Sequence, residues 1–204
     1  MVKKGDTLIE VTLAIGIFSM VAITVTSVLN SATSNTQTAL ETTLTREEID
    51  TQAEAIRYIH SAYAANKEEG KIWTTAWRAI KDKAINPNTT AATNIRHYSP
   101  TTCDVSNLPT NAFIIDAKTT LSYISLSTGS GGNYVKTSSF PQVYYNGDLT
   151  KMRARGIYVV AVKGDTTSKP AYYDFYIQTC WYGSNANEPS TVSTLIRLHN
   201  PDAI

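Results

Sequence analysis

Glu10 stands between Ile9 and Val11, at the head of a stretch from Val11 to Leu29 that contains no charged side chain. A carboxylate in such a place is by default a candidate functional residue. Left alone near a bilayer centre it costs on the order of 3 kcal/mol, and less near the interface. Paired and hydrogen-bonded, it is tolerated. No Lys or Arg lies between Asp6 and Thr45, so the chain's own early helix offers it no basic side chain. Asp6, four residues upstream, is a second acid. It suits a helix N-terminus, where the dipole favours negative charge, yet it sits at a mildly repulsive spacing from Glu10.

The other chemistry-bearing residues form weaker patterns. Cys103 and Cys180 lie far apart and lack the close ligand pairs of a zinc or redox motif. In an exported domain they read as one disulfide, which would tie the loop after the second helix to a late strand; the alternative is two separate buried thiols. The three histidines, His60, His97 and His199, show no metal-ligand spacing. Gly129-Ser130-Gly131-Gly132 lacks the Lys-Ser/Thr and the helical continuation of a phosphate loop, and reads as an ordinary loop. No G-x-S-x-G elbow occurs. Lys151-Met152-Arg153-Ala154-Arg155 alternates three cations, which reads as the solvated face of a strand and, as the sharper alternative, a contact to DNA phosphates. Asn88-Thr89-Thr90 fits a glycosylation sequon, a pattern common by chance. The sequence therefore supports no catalytic residue, cofactor or metal site, and the reading is of a protein that is not an enzyme.

These residues need elements to position them. At about 1.5 Å per residue, Val11–Leu29 nearly crosses a hydrocarbon core of about 30 Å. Lys3 and Lys4 on its N-terminal side predict a cytoplasmic start and an external C-terminus. An ordinary secretory signal would be cut beyond the apolar run, with Asn30-Ser31-Ala32 as the site, but would not carry an acid where its apolar region begins. Leu40, Leu44, Ile49, Ala53, Ile56, His60 and Tyr63 approximate a stripe at helical spacing, and no Pro or Gly interrupts residues 17 to 69. The periodicity predicts a second helix over Lys71 to Ile85, stopped by Asn86-Pro87-Asn88, with Trp73 and Trp77 anchoring it to a core.

Beyond it, Ala112–Ala117, Leu121–Leu126, Val143–Tyr145, Gly156–Val162, Ala171–Trp181 and Thr191–Leu198 read as strands between Gly- and Asn-rich punctuation. The alternation in Tyr172–Ile177 predicts a half-buried antiparallel strand. Twelve tyrosines against four phenylalanines, with Thr and Ser throughout, suit an exported β-rich domain. Lys plus Arg at 18 and Asp plus Glu at 17 argue for no particular polyanionic or polycationic partner. The predicted class is α+β: a long N-terminal helix, a second helix and an antiparallel sheet.

Lys3-Lys4-Gly5-Asp6-Thr7-Leu8-Ile9-Glu10-Val11 resembles the class III signal of type IV pilins and pilin-like proteins, a short basic leader, a Gly at the cut, a T-L-I-E run and then an apolar helix. The resemblance implies cleavage between Gly5 and Asp6 by prepilin peptidase on the cytoplasmic side and methylation of the new amine on Asp6. Counting from Asp6 as one, Glu10 is the fifth residue, the position of the family's glutamate, which neutralises the N-terminal ammonium of a neighbouring subunit during filament assembly. The family most often has Phe after the glycine. Asp6 stands there instead, and which of Asp6 and Glu10 makes the inter-subunit pair is left open by the sequence.

The resemblance further implies a leader of residues 1–5, a transmembrane and filament-core half of the spine over 6–33, and a globular head over 34–204. The protein would be a single-pass membrane protein first and an extracellular filament afterwards. Its partners would be copies of itself in a helical homo-oligomer, prepilin peptidase, an assembly platform with its ATPase, and the membrane, with host-surface or DNA contact as a lesser expectation. Adhesion, twitching motility and DNA uptake are the uses such a pilus serves. In related filaments part of the spine loses helicity on assembly; the Thr-, Ser- and Val-rich segment 23–38 has weak propensity suited to that, and a continuous helix is the equal alternative. A pseudopilin of a secretion or competence system, or a single-span anchored binding domain that never polymerises, are the alternatives.

Overall fold

The computed structural model describes residues 6–97, 109, 111–116, 121–126, 154–182 and 188–203. The chain divides into two compact units, Met1–Leu40 and Glu41–Ile204. One helix, α1 (Asp6–Ala65), contributes to both. It contains no proline and a single glycine, Gly16. Its many Ser and Thr residues are mediocre helix formers, and their hydroxyls turn back onto the helix: Ser19 Oγ donates to Ile15 O at 2.8 Å, Thr24 Oγ1 to Met20 O at 2.8 Å and Thr33 Oγ1 to Leu29 O at 2.9 Å. Segment 23–38 is thus helical in the single chain, with the hydroxyls of Thr24, Thr26, Thr33, Thr36 and Thr38 satisfied by carbonyls of α1 itself.

In the second unit, α2 (Ile72–Lys83) and α3 (Thr90–Arg96) precede a five-stranded sheet of β1 (Phe113–Ile115), β2 (Tyr123–Ser125), β3 (Ala154–Lys163), β4 (Tyr172–Tyr182) and β5 (Pro189–His199). The spatial order is β2-β1-β3-β4-β5, with every neighbouring pair antiparallel. β4 and β5 pair without a register shift from Tyr172↔His199 to Tyr182↔Pro189. The fold is therefore the expected α+β arrangement. The strand expected over Val143–Tyr145 and the glycine-rich stretch Gly129–Gly132 lie outside the described residues.

α1 crosses one face of the sheet in line with β4 and β5. Trp181 Nε1 donates to Glu41 Oε2 at 3.3 Å, while His60 Nε2 meets His199 O at 2.9 Å. The helix rises about 28 Å from Glu41 to His60, and β4 covers about 30 Å between Trp181 and Tyr172, so the lengths match. Ile49, Ile56, Ile59 and Tyr63 of α1, Trp77 and Ile80 of α2, and Phe113, Val159, Phe175 and Ile177 of the sheet form the core between them. Trp77 is fully buried, with its ring 5.1 Å from His60 and 5.9 Å from Tyr173, as an anchor should be.

Two details of burial differ from the sequence reading. Leu40 is 52% exposed and Ile72 53% exposed, whereas Glu41, Thr45 and Gln52 are buried. Gln52 is inside because its amide acts as a strand partner: Nε2 donates to Ile115 O and Oε1 accepts from Ile115 N, both at 2.9 Å. β4, expected to be half-buried, is also covered over much of its second face. There Asp174 takes a bidentate pair from Arg197 at 2.7 and 2.9 Å, and Gln178 bonds to Tyr158 and Ile95. The cover at Gln178 is α3, in a stretch where the sequence predicts a loop. Thr89 caps it by accepting from Ala92 N at 3.2 Å, giving the middle residue of the sequon a structural task.

Candidate functional site

The N-terminal unit presents an unusual surface. Leu8, Ile9, Phe18, Met20 and Ile23 are each 68–74% exposed, with every other large apolar residue from Val11 to Leu29 at least half exposed. An 18-residue window here has a mean hydropathy of 2.2 and no part of it is buried within the chain, so by length and composition this helix can cross a membrane. Water is a poor solvent for such a face, and none of the described residues covers it.

Asp6 is the first residue of α1, and Glu10 lies one turn on, exposed. From Asp6 to Leu40 these are the only charged side chains. The nearest basic side chains in the sequence are Lys3 and Lys4 upstream and Arg46 downstream, so none lies within the apolar stretch itself. Gly5, at the expected cut, lies outside the described residues.

The second unit holds a polar cluster that sequence reasoning did not find. Asp202 receives Tyr63 Oη at 3.0 Å on both carboxylate oxygens, Lys67 Nζ at 2.9 Å and Lys81 Nζ in a short contact. Lys67 also donates to Pro201 O at 2.9 Å. Burial pushes the Asp202 carboxyl up, but the hydrogen bonds from Lys81, Lys67 and Tyr63 outweigh it and hold the group down at about 2. Asn200 fixes this turn, donating its backbone N–H to Ala171 O at 2.8 Å and its side-chain amide to Pro170 O at 2.9 Å. The participants come from the end of α1, from α2 and from the segment after β5, more than 120 positions apart, so no local pattern announces them.

His60 belongs to the core. A carbonyl can only accept, so its contact with His199 O makes Nε2 the protonated nitrogen. Desolvation by burial lowers its pKa, against the opposing pull of that hydrogen bond. Its ring packs edge-on against His199 at 4.6 Å. Among the described residues no group of three or more His, Cys, Asp or Glu could hold a metal ion.

Cys180 is on β4, 4% exposed, and is not a free thiol. Cys103 lies outside the described residues, as do Lys151, Met152 and Arg153 of the basic cluster. No family model, curated protein or solved structure matches this chain.

Proposed function

We propose that this chain is the structural subunit of a type IV pilus, processed between Gly5 and Asp6 and polymerised through α1. The observation that carries the reading is the N-terminal unit: an apolar helix with no part of its membrane-length window buried, interrupted only by carboxylates at its very start. In a filament, copies of that helix cover one another, and Glu10 receives the N-terminal ammonium of a neighbour. The charge is then paired where an unpaired one would be costly. The long helix joined to an α+β head supports the same assignment.

Cys103 pairs with Cys180 in this proposal. Gln178 Nε2 already ties Ile95 of α3 to β4 at 2.7 Å, and Cys180 lies two residues along the same strand on the same face. Seven extended residues from Arg96 reach at most about 25 Å, ample for Cys103 to arrive at Cys180.

Mass spectrometry of the mature protein tests the processing step. The expected N-terminus is a methylated Asp6, whereas a start near Ala32 overturns the reading in favour of an ordinary secretory signal. Glu10→Ala is expected to be cleaved normally yet to be missing from sheared surface filaments. Normal incorporation of that variant removes Glu10 from the assembly contact.

A further inference from the structure

Beside the Asp202 cluster the second unit opens a cavity of about 560 Å³, within the range of small-molecule sites. Four cations line it, Lys67, Arg78, Lys81 and Lys169, against one carboxylate, Asp202. Asp202 already orients two of them, Lys67 and Lys81. Arg78 pairs with Glu69 at 3.1 Å, but both side chains are largely solvent-exposed, which makes that pair weak. Lys169 makes no ion pair among the described residues. Asp82 and Asp165 stand close enough for their charge to reach Tyr173, but neither lines the cavity.

Tyr63 and Tyr173 supply aromatic walls, and burial, assisted by Asp202, pushes the Tyr173 hydroxyl up to about 12, so it is a donor well into alkaline pH. The lining thus offers hydrogen-bond donors in excess of acceptors and a surplus of positive charge.

We infer that this cavity binds an oxyanion-bearing ligand, a carboxylate, sulfate or phosphate group free or carried on a small molecule. Asp202 acts there as a built-in competitor: it holds Lys67 and Lys81 in place, and an incoming anion shares them. Lys169 and Arg78 supply the charge that draws the ligand in. This goes beyond the filament proposal and does not depend on it, since every residue involved lies in the second unit.

Calorimetric titration of the full chain in non-ionic detergent tests the inference, with inorganic phosphate and glucuronic acid as probes and glucose as the neutral control. Both anions are expected to bind and glucose not to, with binding weakened several-fold between about 50 and about 300 mM salt. Lys169→Ala is expected to weaken anion binding about threefold or more without changing thermal unfolding, because that side chain makes no ion pair to lose. Asp202→Asn is expected to tighten it, because two ammoniums lose their internal partner. Tighter binding of glucuronate than phosphate identifies a sugar-borne carboxylate, and the reverse a free oxyanion. The inference is overturned if neither anion binds at about 10 mM, if glucose binds as well as they do, or if Lys169→Ala leaves the affinity unchanged.

Discussion

Gln178 Nε2 donates to the backbone carbonyl of Ile95 at 2.7 Å, while its Oε1 accepts from Tyr158 Oη at 3.0 Å. One side chain thereby fastens α3 to the second face of the sheet and spans β3 and β4. At 2% exposure it has no water to fall back on. Gln178→Leu keeps the volume but strips the Ile95 carbonyl and the Tyr158 hydroxyl of this partner. The expected loss is about 2–3 kcal/mol in chemical denaturation of the full chain in detergent. A loss below about 0.5 kcal/mol would show that the bond does not hold α3.

Acid should weaken the head in two stages. His60 has a folded pKa below its ordinary value, so the unfolded chain takes up the proton first and stability falls as pH drops below about 6.5. Asp202 is held at about 2, so its contribution is complete above the ordinary carboxylate value and is lost as pH falls from about 4 towards 2. After allowance for solvent screening that second contribution is on the order of 1–2 kcal/mol. Denaturation midpoints measured from pH 8 to pH 2 should show both declines, and Asp202→Asn should shrink the lower one and leave the upper one unchanged. The remainder of the lower decline comes from groups such as Asp165, whose carboxyl is also held down by its hydrogen bonds from Thr167.

Gly70 joins α1 to α2 with φ +82°, and a Cβ built there meets no atom within 4 Å. Gly70→Ala therefore isolates a pure backbone cost, expected at about 1 kcal/mol. A crystal structure of the variant should show φ still positive. A loss above about 3 kcal/mol would mean that the turn has been rebuilt instead.

Reduction tests the proposed pairing of Cys103 with Cys180. A bridge closing so long a loop should contribute roughly 4 kcal/mol, and a reductant should both lower the denaturation midpoint and slow migration in a denaturing gel. Cys103→Ser should reproduce the effect and make Cys180 reactive to a thiol reagent only after unfolding, since that residue is 4% exposed.

The sequence made local features legible and distant ones not. α2 and the strands β3, β4 and β5 announce themselves through helical and alternating periods that each element carries alone. Glu10 is conspicuous for the same reason, because an acid amid apolar neighbours needs no tertiary context to look wrong. α3 is not legible: seven residues give too little periodicity, and in sequence Thr89 looks like the middle of a sequon, not a cap. The buried stripe of α1 was misplaced around Leu40 because Glu41 and Gln52 are polar. What brings them inside is the Trp181 indole and the Ile115 backbone, and no helical pattern contains either. The Asp202 cluster joins residues up to 139 positions apart, beyond any motif.

That last separation sets the order of events during synthesis. Tyr63 and Lys67 are made early, and their partner Asp202 comes 139 and 135 positions later. His60 waits equally long for His199. Until β5 and the turn after it emerge, the end of α1 has neither its polar clasp nor its last strand, and the nascent head displays a half-built apolar face. Contacts of such range make for slow closure. The second unit therefore stays unfinished for most of the chain's synthesis, the interval in which a chaperone would have something to hold.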